Sequence, residues 1–516
     1  MTRVAHPLGG RPLSLGEPGR LLLLTLVASL LVYGYPLTHF SLPIDGEFAD
    51  NFAQTIAFGR WGHSLLRAWL LPEPFTPFFT LLVALLALSL AATLGARLLR
   101  LSGAGALLFT TLLVGFPQLA YQFEFINQAD TLAIGYLLGI ASVWLFVNAL
   151  ALRGAPRWGG LLLATGCYVY AIGIYQSLVV IPPLMLLGRL AFIEAGTDAS
   201  GDDLRPRLGP RQGLAQLAGF ALLSLVALAL YVAITRWTQA HFAIAGSSYL
   251  AGFVNLGLGP WAYLHAVTAQ LALGLGGRQN FGLASFALAS AAAALLLATA
   301  LLRWRTLGAG RGAYRWLLTL GMLLLPFVFC LTSRYALPPR IFVATSLSLA
   351  LLVTLALYRR DSRWLAGLAA LLLLIHGARV AQLFASDAAV RQADVLMANR
   401  IATALYLQYP DFDPARTPVY FHGGTANDSV HKLPRSDVFG SSFFAWDGGN
   451  NIRLRLFFRY YGIGDWRNAD RDETRRALRQ VEAMPTWPNP GAIQRHDGVM
   501  IVKLGAYRGW LPFSVE

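Results

Sequence analysis

Charge is scarce in this sequence: Asp, Glu, Lys and Arg together make up only 13% of its 516 residues. That is about half the usual share in soluble domains, so an ordinary water-soluble fold is excluded first. Only two cysteines occur, Cys167 and Cys330, both within apolar stretches. Neither a disulfide framework nor a cysteine-based zinc site can be built from them. No glycine-rich phosphate loop ending in lysine and no HExxH pattern is present. Acid is scarcer than base, with 26 Asp and Glu against 41 Lys and Arg and a formal charge of +15. In a soluble protein that excess would suggest a nucleic-acid partner, but here it lies mostly in short loops between apolar runs. The positive-inside rule accounts for it, and no nucleic acid is expected.

Apolar residues fill the space that charge leaves, at 56% of the chain with a mean hydropathy of +0.53. Runs of spanning or near-spanning length occur at 21–35, 75–94, 104–120, 132–152, 161–174, 177–193, 214–234, 281–302, 316–330, 342–358 and 364–383. The first follows a basic segment with Arg3, Arg11 and Arg20 and lacks a small-residue cleavage site, so it reads as a retained anchor. The pair within 161–193 reads as two short helices or one long one. Arginine distribution favours two, because Arg97, Arg100, Arg153, Arg157, Arg189, Arg205, Arg207, Arg211, Arg303, Arg305, Arg311, Arg315, Arg359, Arg360 and Arg363 then all fall in alternate, inner loops. The expectation is a mainly α, polytopic membrane protein with about eleven transmembrane helices, its N-terminus cytoplasmic and its C-terminal segment outside.

From Ala385 the apolar runs stop, which predicts two parts: a transmembrane part over 1–384 and a small soluble α/β domain over 385–516. Within the latter, 385–409 has helical spacing, Thr417 to Phe421 and Gly498 to Leu504 read as strands, and Asp472 to Ala483 as a charged helix. Asp470 and Asp472 form a DxD triplet at the start of that helix, where Asp is a routine cap. His376 and Arg379 are expected to mark the outer end of the last span.

The first long polar interruption, 42–74, holds Asp45, Glu47 and Asp50 beside Arg60, His63 and Arg67. Such a cluster just after the first span would lie against the outer membrane surface, where charge needs a partner or a task. Trp61, Leu65 and Trp69 recur at helical spacing with Arg60, Ser64 and Arg67 on another side, as in an interfacial amphipathic helix or re-entrant loop. A plain surface anchor is the competing reading. Asp50 reads as a helix cap. Asp45 and Glu47 are candidate general bases placed near a lipid phosphate.

Further polar islands lie on the same side. Tyr121 to Asp130 carries Glu124 and Asp130, the latter equally readable as an N-cap. Tyr175 and Gln176 interrupt an apolar stretch, and Arg340 follows Pro338 and Pro339. Arginine matches a phosphate with two parallel hydrogen bonds, which makes Arg60 and Arg340 candidates to hold one; a snorkelling interface residue is the alternative for each.

The order of these stretches, Asp45 to Trp61, Phe123 to Asp130, GIYQ at 173–176, PRIF at 339–342 and GSSFFAWDGGN at 440–450, resembles the O-antigen glucosyltransferase membrane family. The resemblance implies a GT-C-like glycosyltransferase in the bacterial inner membrane with a carboxylate base in the first outer loop, here Asp45 or Glu47. It also implies a polyprenyl phosphate-linked sugar donor, glucose in that family, and a polysaccharide or lipid-linked glycan acceptor such as O-antigen, with the soluble tail in the periplasm. Asp45 is followed by Gly46 and Glu47 where the family more often pairs two aspartates. Glu124, Asp130, Tyr175, Gln176, Arg60 and Arg340 would line the substrate site against membrane lipid. No cofactor is expected, and a divalent metal is left open. A transporter or flippase of lipid-linked saccharides would show the same hydropathy, although the polar residues gather in outer loops and no internal repeat is evident.

Overall fold

The computed structural model describes residues 17–48, 50–71, 73–196, 208–247, 257, 259–278, 284–332, 337–358, 360–434 and 436–506. Arg3, Arg11, Arg205, Arg207 and Arg359, read above as inner charges, lie outside the described residues, as does 507–516. The chain is mostly helical. Seven helical stretches are long and apolar enough to cross a membrane: Pro77–Leu98, Gly103–Phe123, Ile126–Leu150, Gln176–Ala195, Pro210–His241, Ala309–Leu331 and Ser362–Gln408. Ala287–Leu302 and Thr345–Leu357 are shorter apolar helices. This is a membrane protein, since stretches of that length and composition are stable only where lipid replaces water around them.

The stretch 161–193 is divided into helices Ala155–Ile174 and Ile181–Ala195, joined by a 3-10 turn at Gln176–Val180. Between the apolar runs at 214–234 and 281–302 lies a further helix, Pro260–Leu275. Its Pro at the first position and preceding Gly259 are ordinary helix-start chemistry. A single large core joins the membrane helices, with Phe109, Phe116, Tyr136, Ile140 and Leu184 fully enclosed.

The change of composition at Ala385 does not coincide with a break in structure. Ser362–Gln408 is one helix of 47 residues, capped at its start by the Asp361 side chain, which accepts from the backbone N–H groups of Arg363 and Trp364. Neither Gly nor Pro interrupts it between Ala378 and Gln408, so nothing stops the helix where its surroundings change. His376 lies within this helix, buried against the Phe116 ring at 5.5 Å.

Beyond the long helix, three strands form one sheet in the order β1-β3-β2: β1 Val419–His422, β2 Ile493–His496 and β3 Val499–Lys503. β1 pairs parallel to β3, and β2 pairs antiparallel to it through the tight Asp497-Gly498 turn. Helix Arg471–Val481 covers one face with Ala477 and Val481. Its start is a capping box between Asp470 and Glu473, which accounts for the DxD triplet structurally. The other face packs on the long helix and on helix Asn451–Tyr460 through Phe421, Phe457, Phe458 and Trp466.

Candidate functional site

The loop after the first helix is anchored by its apolar residues. Leu42 and Ile44 are buried in the same cluster as Ala398, Leu454 and Phe457, so the loop is pinned into the C-terminal core. Between and after them the chain turns tightly, with the Gly46 N–H donating to the Pro43 carbonyl at 3.0 Å. Asp45 occupies the left-handed region there, at φ 73°. Asp is one of the few non-glycine residues that tolerates this region, at a cost of about 1–2 kcal/mol. The turn thereby presents Asp45 and Glu47 to helix Asn451–Tyr460.

What they meet is Arg453. Its Nη2 donates to Asp45 Oδ1 at 2.8 Å, its Nη1 to Glu47 Oε1, and its Nε to Asp447 Oδ2 at 2.7 Å. Three carboxylates thus share one guanidinium, using a different nitrogen each. The Glu47 side chain is fully enclosed, whereas that of Asp45 is 39% exposed. Burial pushes the Glu47 carboxyl up to about 7, with Arg453 opposing and the Asp45 charge adding to the rise. Glu47 Oε2 is buried without a hydrogen-bond partner, and Asp45 Oδ2 has none among the described residues. Asp447 is carried by the turn WDGGN, whose Gly449 sits at φ 86° with the Gly423 carbonyl oxygen 2.1 Å from where a Cβ would be. Only glycine fits that approach.

A second group lies at the head of the span that begins at Ile126. Glu124 is fully buried and neither of its oxygens has a hydrogen-bond partner among the described residues. Burial holds its carboxyl well above the usual range, and the charges of Asp387, Asp437 and Asp45 add to the effect. Arg340 donates to Asp437 Oδ2 at 2.7 Å and lies over the Phe125 ring at 5.3 Å. The Gln118 and Gln122 side chains donate to the backbone carbonyls of Pro339 and Arg340, so the Pro-Pro-Arg turn is held on this face. Asp387 accepts from the Gly440 N–H at 3.0 Å, and Asp394 accepts from Arg391, Asn427, Ser442 and the Phe443 N–H. These bonds dock segment 427–443 onto the long helix.

The third group contains Arg60, Tyr175 and Gln176. Arg60 lies over the Tyr175 ring at 4.7 Å and the Phe58 ring at 5.5 Å, and donates to Gln128 Oε1 at 3.3 Å. No carboxylate pairs with it among the described residues. Gln176 Nε2 donates to the Phe58 carbonyl at 2.6 Å and to the Tyr231 hydroxyl at 3.0 Å, fixing the turn before Arg60. Gln128 in turn donates to Gln122 at 3.3 Å, which links this group to the Arg340 turn.

Helix Trp61–Trp69 buries its polar face, not its apolar one: His63, Ser64 and Arg67 point into the protein, whereas Trp69 and Leu70 are exposed. Exposed Trp69 and Leu70 suit a lipid contact. Trp61, expected on the lipid side, is instead buried edge-on to Tyr170 at 5.6 Å and against Gly173. Arg67 pairs with Asp130 at 2.5 Å. Asp130 lies inside helix Ile126–Leu150 and is therefore not its N-cap; its Oδ1 also accepts from the Thr131 N–H at 2.7 Å. Asp50 is not the N-cap of the following helix, a position that Asn51 holds; from one residue earlier its side chain accepts from the Phe52 N–H at 2.9 Å.

The structure therefore joins Asp45 with Glu47, and Arg60 with Tyr175 and Gln176, and sets Glu124 near Asp45 and Asp437, the partner of Arg340. Asp130 is engaged elsewhere, with Arg67. Sequence reasoning missed Arg453, Asp447, Asp437 and Asp387; the only available signal was the polar GSSFFAWDGGN segment that leads to Arg453. The family model described as glucosyl transferase GtrII matches residues 34–357. Neither the curated proteins nor the solved structures yield a match to the chain.

Proposed function

This chain belongs to the GtrII glucosyltransferase family, and we propose that it draws its sugar, glucose, from a polyprenyl phosphate carrier and transfers it to a surface polysaccharide such as O-antigen. Family membership favours an enzyme over a flippase or transporter. The placement we adopt is the outer face of a bacterial inner membrane, with the region after the long helix in the periplasm.

The observation that carries this reading is the Asp45 carboxylate, held in a left-handed turn with Oδ1 on Arg453, its other oxygen without a hydrogen-bond partner among the described residues and its side chain partly exposed. In the proposed step, that oxygen takes the proton from the acceptor hydroxyl as the hydroxyl oxygen attacks the anomeric carbon. The bond from that carbon to the phosphate oxygen breaks, and polyprenyl phosphate leaves with the electron pair. Arg60 is our first choice to receive the charge building on the phosphate, because no carboxylate among the described residues pairs with it and two rings hold its plane. Arg340 is the second choice, with Asp437 as its present partner. Glu47 orients Asp45 through Arg453. Tyr175, Gln176 and Gln128 shape the Arg60 side, and Glu124 borders the acceptor side. Asp130 supports the site from behind by fixing Arg67.

The test is purified protein in lipid, given polyprenyl phosphate glucose and an acceptor glycan. Asp45→Asn keeps shape and most hydrogen bonding, so a base role requires transfer to fall roughly a hundredfold to ten-thousandfold at normal yield and donor binding. Parent rates in Asp45→Asn, Glu47→Gln and the double variant would place the base elsewhere, with Glu124 next in line.

A further inference from the structure

Arg453 comes from the far end of the chain, 408 residues from Asp45, yet it makes the only salt bridges that Asp45 and Glu47 have among the described residues. The family match ends at residue 357, so it does not reach Arg453. Resting on the reading of Asp45 and Glu47 given above, we infer that Arg453 is a positioning residue of the transfer site, so that the region after the long helix completes the active centre. The guanidinium holds the two carboxyl groups aimed, one by each terminal nitrogen.

The charge balance makes the dependence plain. Asp45, Glu47 and Asp447 bring three negative charges to one positive charge, and Glu124 stands close enough to Asp45 to feel it. Two neighbouring carboxylates without a cation do not both ionise readily, because each disfavours the other's charge. Asn450 caps the helix start with its side chain, accepting from the Ile452 and Arg453 N–H groups at 3.0 and 3.4 Å. Leu454, Phe457 and Phe458 bury the adjacent face. The fork is therefore fixed from below by the C-terminal core and from the side by the Phe48 ring at 5.3 Å.

If Arg453 acts this way, removing it moves the acid limb of the rate profile, not only its height. Loss of a close opposite charge raises a carboxyl value by about one to three units. Arg453→Gln should lower kcat at pH 5 by up to about a hundredfold, with recovery toward pH 9 and little change in donor KM. Arg453→Lys, which keeps the charge and loses the fork, should fall between parent and Arg453→Gln. Asp447→Asn removes a competing carboxylate and should shift the limb the opposite way, to lower pH; it keeps the question decidable if Arg453→Gln fails to fold. An Arg453→Gln protein of parent melting temperature with the parent pH profile overturns the inference, as does an Asp447→Asn profile that does not move. Two patterns separate the possible failures. If Asp45→Asn and Glu47→Gln abolish transfer while the Arg453 and Asp447 profiles stay still, only this inference falls. If Asp45→Asn and Glu47→Gln transfer at the parent rate, the reading beneath it falls too.

Discussion

Arg67 and Asp130 meet at 2.5 Å with side chains only 3% and 1% exposed. Arg67 also donates to the Asn127 carbonyl at 2.6 Å, so the pair ties helix Trp61–Trp69 to the head of the Ile126 span. Breaking a buried pair leaves an uncompensated charge and costs roughly 3–5 kcal/mol, whereas replacing both partners by apolar residues is far milder. Arg67→Leu or Asp130→Leu alone should therefore lower the melting temperature sharply in detergent, and the double variant should recover much of it. Equal losses in all three would show that the pair contributes little.

Arg60 supplies the second expectation. Arg60→Lys keeps a positive charge but gives up the planar fork and much of the stacking on Tyr175 and Phe58. The predicted result is a donor KM raised about tenfold with a smaller change in kcat and no loss of yield. A variant with parent donor affinity would reduce Arg60 to a membrane-interface anchor.

The buried Glu47 carboxyl makes stability depend on pH. Its folded value, about 7, lies above its ordinary value, so the folded state holds a proton over the window from about 4.5 to 7 that the unfolded chain has lost. Stability from this group is then fully present at low pH and declines as pH rises through that window. Glu47→Gln should flatten the decline. Melting temperatures at half-unit intervals from pH 4.5 to 8 would show it, and an unchanged slope in the variant would mean that another group carries the dependence.

Orientation is the fourth test. With the site on the outer face, a reporter that works only outside the cytoplasm should be active when fused after Glu516, and one that works only in the cytoplasm should be silent. The reverse pattern would move the whole site to the inner side.

Much of the helical layout was legible, because apolar runs of spanning length have few other uses. Each of the eleven runs overlaps a helix, although not all reach the length and hydropathy of a membrane crossing by themselves. Asp470 was legible as a cap because capping is local. The Arg453 cluster was not, since its partners are distant in sequence and an arginine at the second turn residue of a polar helix looks like ordinary surface charge. β2, with the sequence IQRH, is too short and polar to announce a strand; it forms because β3 offers a ready edge. The buried face of helix Trp61–Trp69 was misread for a related reason. Its polar residues find partners on a neighbouring helix, His63 at Thr131 and Arg67 at Asp130, which lets that face be enclosed.

The uninterrupted helix Ser362–Gln408 is a single rod shared by two cores. At 1.5 Å per residue its 47 residues extend about 70 Å, with Leu365 and Val380 in the core of the apolar helices and Ile401 and Leu405 in the core that holds Leu454. Asp387 and Asp394 lie between those two sets of residues and bind the backbone of Gly440 and Phe443, so one stretch of backbone sets the spacing between both cores and the segment fastened between them.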